Sequence, residues 1–230
     1  MKTTKNRRIS TETLVLSAVL TALVAVLQFM GAFIRLGPFS ISLVLIPIVI
    51  GAATCGIGVS TWLGLVFGAV VLASGDAAAF LVIDVPGTVI TVLAKGMACG
   101  ALAGVAYKGV FALLNKRSER QIARIKAESG LCDACEDGVH RFISRNNRYV
   151  AVLVAAIVCP LTNTGVFLLG CVVFFMETVV AWSEAAGLGG GVAHYMIFGL
   201  VGGNFLFELG MNIILSPVIV RILRIRKTAK

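Results

Sequence analysis

LGPFSISLVLIPIVIGAATCGIGVSTWLGLVFGAVVLASG, residues 36–75, contains no Asp, Glu, Lys or Arg. It is far longer than the roughly 20 apolar residues that cross a bilayer's hydrocarbon, so it must turn back on itself within the membrane. The reversal is expected in Gly51-Ala52-Ala53-Thr54-Cys55-Gly56-Ile57-Gly58, where glycine and small side chains let two helices turn with close backbone contact. Two spans follow, at 40–54 and 57–74.

The same reading extends outward in both directions. Thr13–Ile34 and Tyr149–Met176 are also free of charge, 88–107 is broken only by Lys95, and 192–220 only by Glu208. The first run is long and no small-residue cleavage site follows Phe33-Ile34-Arg35, so it is expected to persist as a helix rather than be removed as a signal peptide. The count is six spans: 12–34, 40–54, 57–74, 88–114, 149–176 and 193–221. The expected fold is an all-α integral membrane protein, a single six-helix transmembrane bundle over residues 1–230. Composition agrees, with 58% hydrophobic and 13% charged residues and a mean hydropathy of +0.97. A soluble domain carries about 25% charged residues to cover its surface.

The formal charge of +9 is explained by topology rather than by nucleic acid. Lys2, Lys5, Arg7 and Arg8 precede the first span, nine basic residues lie from Lys108 to Arg148, and five follow Val220, together eighteen of the twenty Lys and Arg. With six spans these blocks share one side, and an excess of Lys and Arg marks that side as cytoplasmic. Both termini are therefore expected in the cytoplasm of a cell-membrane protein. The opposite loops carry Asp76, Asp84, Glu177 and Glu184. Trp62, Tyr107, Tyr149, Trp182 and Tyr195 all fall near predicted span ends, where amphipathic rings favour the interface.

Two connections stand out. Residues 116–148 form the only stretch of soluble composition and read as a cytoplasmic loop, whose first part suits a basic helix lying against anionic lipid. The loop Ala73–Gly87, on the opposite side, sets an apolar stretch between Asp76 and Asp84, which suits either a lid over a small-molecule site or a plain interfacial connector.

Charges within spans are costly and usually face a bundle interior, a partner or a ligand path. Lys95 lies about 10 Å along its helix from the outer end of the fourth span, too deep for easy snorkelling. Glu208, near the middle of the sixth, shares a helix face with Asn204 and Asn212 at i−4 and i+4. In the fifth span Pro160 and Gly165 bracket Thr162, Asn163 and Thr164, a natural place for a kink and a polar site. Lys95, Asn163, Thr164, Asn204 and Glu208 are the candidate substrate-binding residues. Lys95 suits a carboxylate or phosphate, although it and Glu208 also have the option of neutralising only each other, and the amides that of joining helices.

Cys132 and Cys135, with His140 beyond them, supply three of the four ligands a closed structural zinc site needs, so no such site is expected in one chain; a site shared between two chains, a redox response and a reduced, unstructured pair are the other readings. No phosphate-binding loop, paired-histidine motif or serine nucleophile motif occurs, so neither catalysis nor a cofactor is expected. If the chain moves a solute uphill, another subunit supplies the energy.

Ala18-xxx-Ala22 in the first span, Gly37-Pro38-Phe39-Ser40-Ile41-Ser42-Leu43-Val44-Leu45-Ile46-Pro47, the glycine-rich second and third spans, and Asn163-Thr164-Gly165 recur in an order that resembles the substrate-binding S components of energy-coupling factor (ECF) transporters. The resemblance covers roughly 10–115 and 149–225. It implies a vitamin-binding site open to the outside, built from the later spans, with Ala18 and Ala22 contacting the transmembrane coupling subunit of a complex powered by ATPase subunits. The lysine favours an acid such as pantothenate, with riboflavin behind it. A membrane assembly protein without a ligand and a stand-alone carrier are the other readings.

Overall fold

The computed structural model describes residues 11–33, 35–36, 39–40, 43–129, 133–187 and 191–228, with side chains described over 11–31, 43–127, 138–187 and 191–221. From the first of these the chain runs as one apolar helix, α1 (Thr11–Phe33), into a short antiparallel ladder of β1 (Arg35–Leu36) with β2 (Phe39–Ser40). The remaining described regular structure is helical.

The charge-free run at 36–75 contains two short apolar helices, α2 (Leu45–Thr54) and α3 (Ile57–Ala73). They meet at a two-residue reversal. Cys55 and Gly56 both donate their N–H groups to the Gly51 carbonyl, at 2.8 and 3.1 Å. Gly56 has φ +94°, a backbone state that side chains with a Cβ resist.

A four-residue helix, α4 (Ala78–Leu81), leads to α5 (Val85–Ser129). Asp84 caps α5: its Oδ2 accepts from the Gly87 N–H at 3.1 Å, satisfying a first-turn donor that has no intrahelical partner. α5 continues for 45 residues, about 67 Å at 1.5 Å per residue, and α6 (Asp133–Phe174) returns antiparallel for 42. Both exceed the roughly 30 Å of a hydrocarbon core. The segment 116–148 is thus largely the far end of this helical hairpin, knitted by Asn147 Nδ2, which donates to Asn115 Oδ1 and Ser118 Oγ at 3.0 Å each.

α7 (Met176–Ala185), α8 (Gly191–His194), a π-helical segment at Tyr195–Val201 and α9 (Gly202–Thr228) complete the chain. Four helical stretches are long and apolar enough to cross a membrane, Thr11–Gly31, Val85–Ala127, Gly138–Phe174 and Gly191–Arg221, and α2 and α3 are shorter apolar helices. With many large apolar side chains on the outer surface, Leu14, Val19, Phe29, Leu169 and Ile214 among them, the bundle suits a lipid solvent.

α5 packs most extensively on α6 and α3, and α6 also on α9. Apolar contact alone drives little association in lipid, so backbone proximity matters more there than in water. Gly96 and Gly100 of α5 supply it. A Cβ on Gly96 would strike the Gly64 carbonyl of α3, and one on Gly100 the Ser60 carbonyl. The core at this crossing joins Leu20 and Val24, Leu45 and Ile48, Leu63 and Phe67, Cys99 and Ala103, and Val152 and Ala155.

Candidate functional site

The polar residues of five separate elements converge at the end of the bundle opposite the 116–148 hairpin. They surround a cavity of about 100 Å³, room for several waters or a small ligand group. α1 contributes Gln28, the turn after α3 contributes Asp76, α5 gives Thr88, Thr91 and Lys95, α6 gives Asn163 and Thr164, and α9 gives Asn204 and Glu208. The five candidates Lys95, Asn163, Thr164, Asn204 and Glu208 therefore line one space. Asn212 does not: it lies one turn further along α9, buried, and its Nδ2 donates to the Glu208 carbonyl at 2.9 Å.

The walls are aromatic. Phe80 of α4 meets Phe167, Phe175 and Trp182 edge-on, with ring centroids 5.6, 5.0 and 5.5 Å away. Phe80, Phe167 and Phe175 all reach the cavity, with Phe67 on the α3 side. The loop between α3 and α5 thus brings both an acid, Asp76, and an aromatic ring, Phe80, to the cavity rim. Leu200 and Val201, at the end of the π-helical segment, also line it. Such a local widening of the helix re-aims side chains and recurs at functional sites.

Lys95 Nζ lies 5.3 Å from the centroid of Phe167 and 5.7 Å from that of Phe67. Both rings present a π-face that attracts a cation. Among the described residues no carboxylate comes within 4.0 Å of its ammonium, so Lys95 and Glu208 do not form a closed ion pair. They act on each other through space, and Asp76 adds a second negative charge in range of the lysine. Gln28, 1% exposed, donates from Nε2 to Asp76 Oδ2 at 2.8 Å and so ties α1 to the loop above the cavity.

At the opposite wall Asn204 Nδ2 donates to Glu208 Oε1 at 3.2 Å. Glu208 is 2% exposed, Thr91 5% and Asn163 7%. Even so, Thr91 Oγ1, Asn163 Oδ1, Asn204 Oδ1 and Glu208 Oε2 have no hydrogen-bond partner within the protein. Leaving a buried polar atom unpaired costs on the order of 1–3 kcal/mol, and native folds avoid it. Four such atoms face one cavity, and a fifth, Asn212 Oδ1, is buried one turn away from it.

Gln28, Asp76, Thr88, Thr91 and the phenylalanines were not among the sequence candidates. One signal was available: Thr88, Thr91 and Lys95 stand at i, i+3 and i+7, a polar stripe along one face of an apolar helix. Cys132 and the Cys135 side chain lie outside the described residues, and His140 is exposed on the distant hairpin. Among the described residues no three His, Cys, Asp or Glu side chains gather as a metal site. Cys99, Cys159 and Cys171 are buried free thiols.

Comparison with known proteins gives one match. The family described as the ECF transporter, substrate-specific component, matches residues 12–222. Neither a curated protein nor a solved structure matches the chain.

Proposed function

The chain belongs to the family of ECF transporter substrate-specific components, and from that premise we propose that its polar cavity captures a vitamin or related small molecule from outside the cell and that Lys95, Asn163, Thr164, Asn204 and Glu208 hold it. Members of this family are binding subunits of transporters rather than enzymes, and they work with a transmembrane subunit and an ATPase module. The observation that carries the reading is the cluster of four unpaired buried oxygens around a cavity that also holds a lysine without a carboxylate in contact.

On this reading the bundle crosses the cell membrane six times with both termini in the cytoplasm. The basic end of the α5–α6 hairpin then lies inside, and the cavity opens outward at the other end. Asp76 and Phe80 form part of its cover. Lys95 takes an anionic group of the cargo, so an acid such as pantothenate is the first candidate; riboflavin, a neutral vitamin whose ring carbonyls would accept from the lysine, is the second. Ala18 and Ala22 are both on the outward surface of α1, where small side chains let another helix approach closely, and they form the contact with the transmembrane coupling subunit.

Native mass spectrometry of the protein purified in mild detergent tests the cavity. A retained small molecule that is lost in Asn163→Leu supports the reading. It is overturned if no molecule is retained and no vitamin raises the melting temperature, since a bound ligand must stabilise the folded state.

A further inference from the structure

Granting that the cavity is a cargo site, its two ends ask for different chemistry. The bond between Asn204 and Glu208 sets the orientation of the amide. Its Nδ2 must face Glu208 Oε1, at 3.2 Å, and its Oδ1 is thereby turned elsewhere without a partner. Asn163 approaches the same carboxyl group and likewise leaves its Oδ1 unpaired. Glu208 Oε2 is the third buried oxygen without a hydrogen bond.

Thr91 adds a hydroxyl that has not been spent. Thr21, Thr54, Thr61, Thr88 and Thr162 each donate to the carbonyl four residues earlier, at 2.6 to 2.8 Å. This is the usual way for a helical threonine to satisfy itself. Thr91 Oγ1 makes no such bond, is buried at the cavity wall, and is pressed against the backbone of α6 at Gly170. Among these four atoms the two amide oxygens are acceptors only, while the hydroxyl and the carboxyl oxygen can act either way. The lining has the same bias, with two acids, Asp76 and Glu208, to one base, Lys95. A ligand that was simply an anion would engage Lys95 and leave the acceptor wall as unsatisfied as before.

We infer that the cavity selects its cargo by hydrogen-bond donors: the ligand carries, opposite the anionic group that faces Lys95, a head with at least two N–H or O–H groups that donate to Asn163, Asn204 and Glu208. The wall discriminates because a molecule without donors leaves several buried acceptors unpaired, and sites of that kind reject analogues that lack the matching hydrogens far more strongly than apolar pockets reject a missing methylene.

The test is a melting-temperature titration of the full chain in detergent with four carboxylates or vitamins of known donor content, together with mass spectrometry of any retained molecule. Pantothenate and riboflavin carry O–H and N–H donors; nicotinate and lipoate, as anions, carry none. The expected result is stabilisation by pantothenate, which carries both the anionic group and the donors, or retention of an anionic molecule with two or more donors; stabilisation by riboflavin, which is neutral, without stabilisation by pantothenate overturns the anionic half of the inference. The affinity of pantothenate or of the retained molecule is expected to fall at least tenfold in Glu208→Gln, which turns an acceptor into a donor. If that variant does not fold, Thr91→Val serves instead. Nicotinate or lipoate binding as tightly as the donor-bearing compounds, or with unchanged affinity in Glu208→Gln, overturns the inference while leaving the cavity a binding site. Retention of a donor-free molecule does the same. If nothing in the panel stabilises the protein and nothing is retained, the binding-site reading and this inference fall together.

Discussion

Lys95 Nζ sits over the faces of Phe67 and Phe167, and the proposed role of this residue is to meet an anionic group of the cargo. Lys95→Met keeps most of the volume and removes the charge. Affinity for a carboxylate-bearing vitamin such as pantothenate is expected to fall roughly 30-fold or more, in line with the ~2–5 kcal/mol lost when one member of a buried charged contact is truncated. Radioligand binding measures it, and unaltered affinity would remove Lys95 from the site. Gln28 works differently, because its bond to Asp76 spans from α1 to the turn after α3. Gln28→Leu is expected to lower stability by about 1.5–3 kcal/mol, the range for a hydrogen bond to a charged group. A melting curve unchanged from wild type would show that this bond adds nothing to the fold.

The candidate residues divide at this scale by how they could be seen. Lys95 and Glu208 were visible because charge in a span is costly. Asn163 was marked by the proline and glycine around it, and Asn204 by its helical spacing from Glu208. Gln28 and Asp76 were hidden, since each is unremarkable on its own element and matters only through what packs against it. Asn212 lies on the same stripe as Glu208, but it turns back to its own helix.

Among the elements, α5 carries the most. Its start is set by Asp84, its middle presents Thr88, Thr91 and Lys95 to the cavity, and its glycines press against α3. Two substitutions on this helix separate packing from propensity. Gly96→Ala forces α3 away from α5 and is expected to cost ~1–3 kcal/mol through overpacking. Gly109→Ala meets open space within 4 Å and is expected to be neutral or to stabilise by up to about 1 kcal/mol, because alanine favours helix over glycine. Melting curves of the two in the same detergent check the contrast; equal effects would mean that the close crossing of α3 and α5 is not what positions the site. The cap is a smaller matter, with Asp84→Ala expected to cost about 1 kcal/mol.

For the whole molecule, the expected membership of the ECF substrate-specific family agrees with the match over residues 12–222. The all-helical membrane character read from charge-free runs agrees with four long apolar helices and two shorter ones. The proposed partner contact belongs at this scale, because it depends on which side of α1 the bundle leaves uncovered. Ala18→Trp with Ala22→Trp is expected to abolish copurification of the ATPase module while leaving vitamin binding by the isolated chain intact. Retained copurification would move the contact elsewhere. Uptake against a gradient by the chain alone in proteoliposomes would instead favour a stand-alone carrier.

Local chemistry sufficed for much of this. Hydrophobic run length dictates helices in lipid because backbone groups there have no water to bond, and the cost of burying charge singles out the few polar positions that must have a purpose. The order of those runs and motifs already pointed to the family. Only the tertiary structure decided which polar residues share a cavity and which satisfy each other. Hydrogen bonding depends on distance and direction to within a few tenths of an ångström, and these are set by the way glycine contacts and the π-helical turn place α3, α5, α6 and α9 together, not by any one stretch of chain. That placement brings Lys95 of α5, Asn163 of α6 and Asn204 and Glu208 of α9 to one cavity.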